Sequence, residues 1–390
     1  MLAVIFEWNS WMNYKAVASL LVVICLGCSS QHRKEIQFQA LIESTFEKHP
    51  DAVGIMVHVE APKQSISWSG AIGYSNWDRT DSIHADQPAL IASITKNYVA
   101  VSILRLVEQG KLTLNQTLDQ ILSEKTVDLM GQHGFDLNTI TVAHLLSHKS
   151  GIPGHTRSIE FQNKLENDPM YRWTRDEQIE LAILQGVREP PGTSFYYTDT
   201  NYLLLTEIIE QKTGKEFTSA IRALVGYEKM GLNNTWFYSL EPTPNNARPL
   251  IHQYVPDNNE DSYNIDNSVD LFGGGGIAAT TEDLGKYAYH VFNGHVFEKE
   301  ETLALMFTDI KAEKGDPIED YIGDIPCEYF LGIQECGFDG LNSYWHSGYW
   351  GTIFRYFPAL DASVVLYVVN EAEFENIELD LMKQVTGILK

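Results

Sequence analysis

Strand-like segments lie at the two ends of this chain of 390 residues, and helix-like segments fill the middle. Near the start, the runs at 52–60 and 65–75 have the character of strands, and "SYWHSG", "GTIFRYFP" and "SVVLYVVN" repeat it near the end. Between them, periodic patterns such as the one at 200–214 predict helices. Strands so far apart can share one core only if both ends of the chain enter the same sheet. We therefore predict a sheet built from both ends and a large, mostly helical insertion.

The beginning of the chain has the features of an export signal. Lys15 precedes the apolar run at 16–27, which is too short to span a bilayer as a stable helix. The run ends at Cys28, and polar residues follow. This order is similar to a bacterial lipoprotein signal, in which such a cysteine carries lipid, although Cys25 stands where leucine is usual. Cys28 is therefore the predicted lipidation site.

These features predict an organisation in three parts. Residues 1–27 form a signal peptide of lipoprotein type, with Met12 as an alternative start, and residues 28–35 form a tether. The domain at 36–390 is then exported and held by its lipid at a membrane, in the periplasm or at the cell surface. An uncleaved signal anchor is the alternative. Within the domain, the sheet part is predicted at about 36–88 and 295–390, and the helical part at about 89–294.

The net charge limits the expected binding partners, and the cysteine content bears on whether a disulfide forms. The formal net charge is −24, and such an acidic surface repels phosphate backbones, so nucleic acid is not an expected partner. Cys327 and Cys336 remain once the signal segment is set aside. In an oxidising compartment these two can pair, and two buried free thiols are the equal alternative.

Ser93 and Lys96 carry the first chemical signal, in "SITK" at the start of a helix-like run. Residues three apart lie on one face of a helix, so both side chains point the same way. A neutral lysine amine can take the serine proton if burial or nearby positive charge lowers its pKa. The free N–H groups at a helix start would favour an oxyanion. Taken alone, the pair is more consistent with a capping serine and a solvated lysine than with a catalytic pair.

Two further motifs contain residue types that suit acyl transfer. In "PPGTSFYYTDTNYLLL", Tyr197 and Asp199 stand two apart on a loop ahead of a helix, and a phenol near an ammonium can act as a proton shuttle. In "YWHSGYWGT", His346 and Gly348 alternate on a predicted strand. Glycine there lets a backbone or a ligand approach closely. The N–H of Tyr349 can then donate to a substrate carbonyl.

Together, these motifs resemble the serine β-lactamase and penicillin-binding-protein superfamily. Ser-x-x-Lys, Tyr-x-Asp and His-x-Gly match its S-x-x-K, Y-x-N and K-T-G or H-T-G boxes in order. "VAHLLSHKSGIPG", "FGGGGIAATTEDLGKY" and "SVVLYVVN" match further segments, so that the similarity covers nearly all of the predicted domain. The nearest branch holds class C β-lactamases, D-alanyl-D-alanine carboxypeptidases, D-aminopeptidases and esterases. The resemblance implies an α/β (α+β), β-lactamase-like fold with an antiparallel sheet flanked by helices.

The resemblance also implies roles for individual residues. Ser93 is the acylated nucleophile, and Lys96 and Tyr197 share the general-base and general-acid work. The N–H groups of Ser93 and Tyr349 form the oxyanion hole. His346, with Gly348 beside it, stands where many relatives have lysine. Neither a metal nor a cofactor takes part.

Two departures from the family pattern affect the expected substrates. The third box is His-Ser-Gly, which fits peptidases and esterases better than a dedicated class C β-lactamase. Asp199 replaces the usual asparagine, and an ionised aspartate cannot donate to a substrate amide carbonyl. It can instead hold Lys96 or bind a positively charged substrate group. A protonated His346 would hold a substrate carboxylate, whereas a neutral one would only set local geometry.

The expected activity is hydrolysis of amide or ester bonds through a covalent acyl-enzyme. The expected substrates are D-amino-acid peptides, β-lactams or esters. The alternative is a penicillin-binding or sensor protein with little turnover, which Asp199 mildly favours. Other hydrolase motifs are missing from the sequence: it has no G-x-S-x-G, and His144 and His148 lack the glutamate of a zinc protease. These histidines are predicted to be structural, and "GGGG" at 273–276 to mark a tight backbone passage near the cleft.

Overall fold

The computed structural model describes the backbone of residues 13–313 and 327–390, and side chains from residue 31 onward within those ranges. Residues 1–12 of the predicted signal peptide and the side chain of Cys28 lie outside the described part. Residues 28–35, predicted as a tether, belong to the first helix. Among the residues that are described, no helix is long and apolar enough to cross a membrane.

Twelve strands form three sheets in the described part of the chain. The largest has seven antiparallel strands in the order β2-β1-β12-β11-β10-β9-β8, so both ends of the chain enter it, as predicted. A three-stranded sheet has the order β3-β7-β4, and β5 pairs with β6. The strands are β1 Gly54–Ala61, β2 Ile66–Gly73, β3 Ala89–Leu90, β4 Thr235–Phe237, β5 Tyr254–Val255, β6 Glu260–Asp261, β7 Ile277–Ala279, β8 Cys327–Tyr329, β9 Gln334–Phe338, β10 Leu341–Gly348, β11 Thr352–Phe357 and β12 Ala362–Val368.

Twelve α-helices accompany these strands in the described ranges. Most lie between β2 and β8 in the chain, which agrees with the predicted helical insertion. The helices are α1 Asn13–Lys48, α2 Thr95–Glu108, α3 Glu124–Gln132, α4 Val142–Leu146, α5 Ile159–Asn167, α6 Arg175–Ile183, α7 Asp199–Thr213, α8 Phe217–Val225, α9 Tyr227–Met230, α10 Thr281–Phe292, α11 Glu300–Leu305 and α12 Phe374–Leu389.

Helices cover both faces of the seven-stranded sheet. On one face α1 and α12 pack together, with Phe38, Ile55, Leu366 and Leu381 in the core beneath them. On the other face α10 contacts β1, β11 and β12. Because both faces are covered, β1 and β12 are buried along their whole lengths. This explains why "SVVLYVVN" is almost continuously apolar instead of alternating.

Helix α10 lies next to the predicted boundary of the helical part, which was placed at about 294. It packs both on the central strands of the large sheet and, through Tyr287, on Tyr98 of α2. Gly285 allows the close approach: a Cβ at this position would lie 2.3 Å from Cδ2 of the buried His58.

A disulfide joins Cys327 on β8 to Cys336 on β9. The two residues are directly opposed in the antiparallel pair, which brings their Cα atoms to 4.5 Å. Of the two alternatives that the sequence left open, a disulfide or two free thiols, the structure has the disulfide.

The helical part packs around α2, which contacts α7 and α8. The short strand β3 leads into α2 through a single 3-10 turn at Ala92–Ile94, and β10 of the large sheet lies against this turn. The turn therefore lies at the boundary between the helical part and the sheet. A ligand cleft is expected at such a boundary.

Candidate active site

Ser93 lies in the 3-10 turn between β3 and α2 and not in the helix itself, which begins at Thr95. The helix was expected to begin at Ser93, and the structure has it begin two residues later. Ala92, the neighbour of Ser93, has φ +43°, a left-handed conformation that residues other than glycine rarely adopt. Such strain is commonly found at functional positions, where the surrounding packing maintains it. Ala92 and Ile94 are buried, and their packing holds Ser93 in place.

Lys96 lies in the first turn of α2, three residues after Ser93. Its side chain is fully buried, and Nζ lies 2.9 Å from Oγ of Ser93, so the predicted pairing of these two residues is present. The same Nζ donates to the carbonyl oxygen of Gly274 at 2.6 Å and lies 2.5 Å from Oδ1 of Asp199. Three acceptors surround one nitrogen. An ammonium has three N–H donors for them, whereas a neutral amine has two.

The charge of Lys96 differs from the sequence expectation of a neutral amine. Burial by itself lowers the pKa of Lys96, but the negative charge of Asp199, with contributions from Tyr197 and Asp270, raises it above its usual value. The physical reason is the carboxylate that replaces the usual asparagine of the family. In the resting protein, Lys96 is therefore a cation.

Asp199 is the first residue of α7 and not part of the loop before it, and Thr198 is the N-cap, accepting from the N–H of Thr200. The positive end of the helix favours a carboxylate there. Burial by itself raises the pKa of Asp199, but the ammonium of Lys96 more than offsets this and holds it below its usual value. The side chain keeps 24% of its surface exposed. Of the two roles foreseen for Asp199, the ion pair with Lys96 is the one present here.

Tyr197 completes the group around Ser93. The Lys96 ammonium lies 4.8 Å from the centre of its ring, and the hydroxyl interacts with Lys96 and Ser93. Burial raises the pKa of Tyr197, the ammonium opposes the rise in part, and Asp199 adds to it. The resting phenol is therefore protonated. It can receive a proton only while it passes its own proton on.

Asp270 was not singled out from the sequence, although it lies beside Lys96 and Asp199. Burial, followed by the charge of Asp199, raises the pKa of Asp270 to about 7. Its carboxylate rests on the backbone of Gly275, where a Cβ would lie 2.0 Å from Oδ2. Gly274 also passes close to Asp199, since a Cβ there would lie 2.8 Å from the Cβ of Asp199. The run "GGGG" was the available signal, and its predicted role as a tight passage near the cleft is confirmed.

His346 is buried and uncharged, which contradicts the expectation that it is protonated to hold a carboxylate. Its Nδ1 lies 2.7 Å from the carbonyl oxygen of Ser347, and Nε2 lies 3.3 Å from the hydroxyl of Tyr329. Burial, reinforced by the positive charge of Lys96, lowers the pKa of His346 to about 3. The competing interpretation, a neutral histidine that sets local geometry, agrees with these contacts. It acts through Tyr329, whose ring packs edge-on against Tyr197.

We expect no step in kcat/KM between pH 5 and 9 that comes from His346, because a group with a pKa of about 3 stays neutral throughout that range. His346→Lys should be less active on acidic and neutral substrates alike, since it places a second cation beside Lys96. The measurement is kcat/KM from pH 5 to 9 for one substrate of each kind. A step in kcat/KM near pH 7 is expected from the titration of Asp270, and it should disappear in Asp270→Asn. A fall at alkaline pH for the acidic substrate alone, abolished by His346→Lys, would contradict this assignment.

Gly348 and Tyr349 lie where β10 ends against the Ser93 turn. A Cβ at Gly348 would lie 2.2 Å from the carbonyl oxygen of Ile91, so only glycine allows this approach, as the sequence predicted. Tyr349 follows directly and is 45% exposed. Its hydroxyl donates to Oε2 of Glu260 at 2.5 Å.

His144 and His148, which the sequence predicts to be structural, make structural contacts. The imidazole of His144 accepts from the N–H of Thr141 in a capping box at the start of α4. His148 is buried with φ +57°, and its Nδ1 accepts from the N–H of Thr198. Its ring centre lies 4.3 Å from that of Tyr197, so His148 also forms one wall of the site. No group of three metal-ligating side chains occurs in the part of the chain that the structure describes.

The fold and the arrangement of Ser93, Lys96 and Tyr197 define the class: a β-lactamase-like protein of the serine β-lactamase and penicillin-binding-protein superfamily. The family model described as Beta-lactamase matches residues 42–383, and the chain belongs to that family, whose members are serine hydrolases. This confirms the resemblance on which the site assignment was based.

Individual relatives are distant in sequence. Penicillin-binding protein 4* of Bacillus subtilis is 22% identical over 92% of this chain and 77% of its own length. The unguisins hydrolase ungD' of Aspergillus campestris is 23% identical over 84% of this chain and 60% of its own. The solved D-amino acid amidase of Ochrobactrum anthropi has a TM-score of 0.71 at 18% identity, over 90% of this chain and 98% of that one. At such identities the structural likeness shows the fold alone.

Proposed function

We propose that this protein hydrolyses amide or ester bonds through a covalent acyl-enzyme at Ser93. The observation that carries the proposal is the 2.9 Å contact between Nζ of Lys96 and Oγ of Ser93, with the hydroxyl of Tyr197 beside both. Because Lys96 donates to Oγ, the Ser93 proton must point elsewhere. Tyr197 is the acceptor within reach. No other Ser-x-x-Lys occurs in the sequence.

The acylation step follows from the protonation states. Oγ of Ser93 attacks the scissile carbonyl carbon while its proton passes to the Tyr197 oxygen, and Tyr197 gives its own proton to the leaving nitrogen or oxygen. The Lys96 ammonium stabilises the negative charge that develops on the phenol oxygen during this transfer. The backbone N–H groups of Ser93 and Tyr349 stabilise the carbonyl oxygen. In deacylation a water follows the same route, and its proton returns through Tyr197 to Oγ.

The substrates we propose are D-amino-acid peptides or amides, β-lactams or simple esters. Solved structures with this fold include enzymes described as a D-stereospecific amidohydrolase from Streptomyces and a D-amino acid amidase. The descriptions of these two enzymes support small acyl compounds as the substrates of this protein. Because His346 is neutral, it offers no positive charge to a substrate carboxylate. We therefore expect substrates whose binding does not require a cation at this position.

A penicillin-binding or sensor protein with little turnover is the second candidate. It is favoured by the ion pair between Asp199 and Lys96, because the negative charge of Asp199 opposes any phenolate at Tyr197. Such a protein would acylate once and release its acyl group slowly.

The experiment that separates these functions is mass spectrometry after incubation with a fluorescent penicillin and, in parallel, with a short acyl ester. A hydrolase should show a transient acyl adduct on Ser93 together with product accumulating over many turnovers. A sensor should show a stable adduct and one equivalent of product. If neither probe modifies the folded protein, the proposed function is refuted.

We also propose that the protein is exported and anchored through lipid at Cys28. The order of basic residue, apolar run and cysteine at 15–28 supports this. Cys28→Ala should move the protein from the membrane fraction to the soluble fraction, or leave the signal unprocessed. Fractionation and intact mass measure the result, with Cys25→Ala as the matched control. If the Cys28 variant stays in the membrane fraction at the mass of the wild type, a signal anchor is the better explanation.

A further inference from the structure

Tyr329, the last residue of β8, is a buried phenol that lies between two groups of the candidate active site. Its ring packs edge-on against that of Tyr197, with the ring centres 5.9 Å apart. The rings of His148 and Phe195 contact it as well. Its hydroxyl lies 3.3 Å from Nε2 of His346. Tyr329 therefore connects the proposed proton carrier, Tyr197, to the histidine on β10.

The direction of the hydrogen bond between Tyr329 and His346 follows from their other contacts. Nδ1 of the imidazole lies 2.7 Å from the carbonyl oxygen of Ser347, and a carbonyl oxygen only accepts, so Nδ1 carries the proton. In the neutral ring, Nε2 is then an acceptor. Burial raises the pKa of Tyr329 well above its usual value, so its hydroxyl keeps a proton and donates to Nε2. The phenol is thus held at its ring by Tyr197 and at its oxygen by His346.

The backbone after Tyr329 is fixed to helix α2. The carbonyl oxygen of Gly332 accepts from Nδ2 of Asn97 at 2.9 Å. Gly332 has φ +77°, and a Cβ there would lie 2.5 Å from that of Ala100, so only glycine allows the turn to approach α2 this closely. Because Asn97 directly follows Lys96, this contact ties the turn to the helix that carries the catalytic lysine.

The backbone before Tyr329 is tied by the disulfide between Cys327 and Cys336. Strand β8 has three residues, and within the described ranges it pairs with β9 alone. Cys327 opposes Cys336 at one end of this pair, and Tyr329 opposes Gln334 at the other. So short a pair of strands forms few hydrogen bonds, and each contributes little. A covalent link two residues away therefore limits how far Tyr329 can move from the sheet.

We propose that Tyr329 is a positioning residue for Tyr197 and that the Cys327–Cys336 disulfide holds Tyr329 in place, so that the rate of acyl transfer depends on this disulfide. The proposal rests on the acyl-enzyme function given above and adds a residue and a covalent link to it. Tyr329 acts through Tyr197 and takes no part in the bond changes themselves. Its ring limits the orientation of the Tyr197 ring, and a displacement of about 1 Å in such a group costs about 10²-fold in rate.

Reduction by a thiol tests the covalent link without a substitution. Dithiothreitol gives two electrons and two protons to the disulfide: the S–S bond breaks, Cys327 and Cys336 become thiols, and the reagent closes to its cyclic disulfide. Cys327 is half-buried and Cys336 is buried, so the reagent reaches the sulfur of Cys327 first. We expect the reduced protein to be acylated by a short acyl ester about 10-fold more slowly or worse, within the cost of a misplaced group, and to recover on reoxidation.

Substitutions at Tyr329 separate positioning from a general loss of structure. Tyr329→Ala should lower the maximal rate of acylation, measured by stopped flow, by about 10²-fold, with the half-saturating ester concentration nearly unchanged. Tyr329→Phe keeps the ring against Tyr197 and should recover most of the rate. Tyr344→Ala is the matched control, because Tyr344 lies on β10 with its ring on Phe292 and Phe307. This variant should keep the wild-type rate.

The link between the disulfide and Tyr329 is tested by combining the two changes. If the disulfide acts through Tyr329, dithiothreitol should slow the wild type but have little further effect on Tyr329→Ala, since the two changes then share one consequence. The double variant Cys327→Ser and Cys336→Ser should have the rate of the reduced wild type and should not respond to the reagent. Cys336→Ala replaces the serine change if the buried hydroxyl impairs folding.

The outcomes separate this proposal from the function on which it rests. If the ester acylates neither the oxidised nor the reduced wild type, the acyl-enzyme function itself fails. If it acylates the wild type and Tyr329→Ala keeps the wild-type rate, the positioning role is overturned. If reduction leaves the wild-type rate unchanged, or slows Tyr329→Ala as much as the wild type, the role of the disulfide is overturned. A loss of rate that only follows the loss of folded protein, measured by near-UV circular dichroism, would also contradict the proposal.

Discussion

Ser93→Ala is expected to abolish covalent labelling and to reduce kcat by about 10⁶-fold, the loss found when a nucleophile that acts as a unit with its base is removed. The reason is geometric: in the described part of the chain, Ser93 is the serine whose Oγ lies within hydrogen-bond distance of a buried lysine and beside a buried phenol. The measurement is active-site titration with the acyl ester, followed by peptide mapping of the adduct.

Ser102→Ala is the matched control for this experiment. Ser102 lies on the same helix, but its hydroxyl donates to the carbonyl oxygen of Tyr98 and faces the core. This variant should keep its labelling. An adduct that persists on the Ser93→Ala protein would show that another residue is the nucleophile.

Tyr197→Phe and Lys96→Met are each expected to slow acylation by about 10²–10⁴-fold, the usual contribution of a positioned acid or base. Tyr197→Phe removes the atom that carries the proton, and Lys96→Met removes the cation that stabilises the charge on it. Because both residues serve one proton transfer, the double variant should be slowed by much less than the product of the single effects. Stopped-flow acylation with the ester probe measures this. Strictly multiplicative effects would contradict a shared proton relay.

Stability must be followed in the same series. Lys96→Met leaves the carboxylate of Asp199 without its counter-ion, and an uncompensated buried charge costs about 3–5 kcal/mol. The change is therefore also made in the Asp199→Asn background, which removes the carboxylate that pairs with Lys96. Tyr356→Phe is the control for loss of a hydroxyl, because Tyr356 lies on β11 and donates to Asp361. Thermal unfolding of each variant separates a loss of folding from a loss of chemistry.

The sequence was sufficient for the fold because hydrophobic patterns are local. Strand-like runs at both ends and helical periodicity between them predicted a sheet made from both ends, and the seven-stranded sheet has that composition. The place of α10 could not be predicted, because an amphipathic pattern shows that a helix has a buried face but not what that face packs against. Its contacts with β1, β11 and β12 exist only in the folded structure.

For the site, the sequence by itself determined which residue types meet, since the order of the three boxes placed Ser93, Lys96, Tyr197 and His346 in one family arrangement. The tertiary structure alone decided their protonation. The charge of Lys96 depends on three acceptors from separate parts of the chain, and the neutrality of His346 depends on its burial beside that cation. Asp270 could be identified only from the fold. It lies far from Lys96 in the sequence, so no local motif indicates that the two residues interact. Ionisation responds to burial and to charge within a few ångströms, and neither quantity is encoded in local spacing.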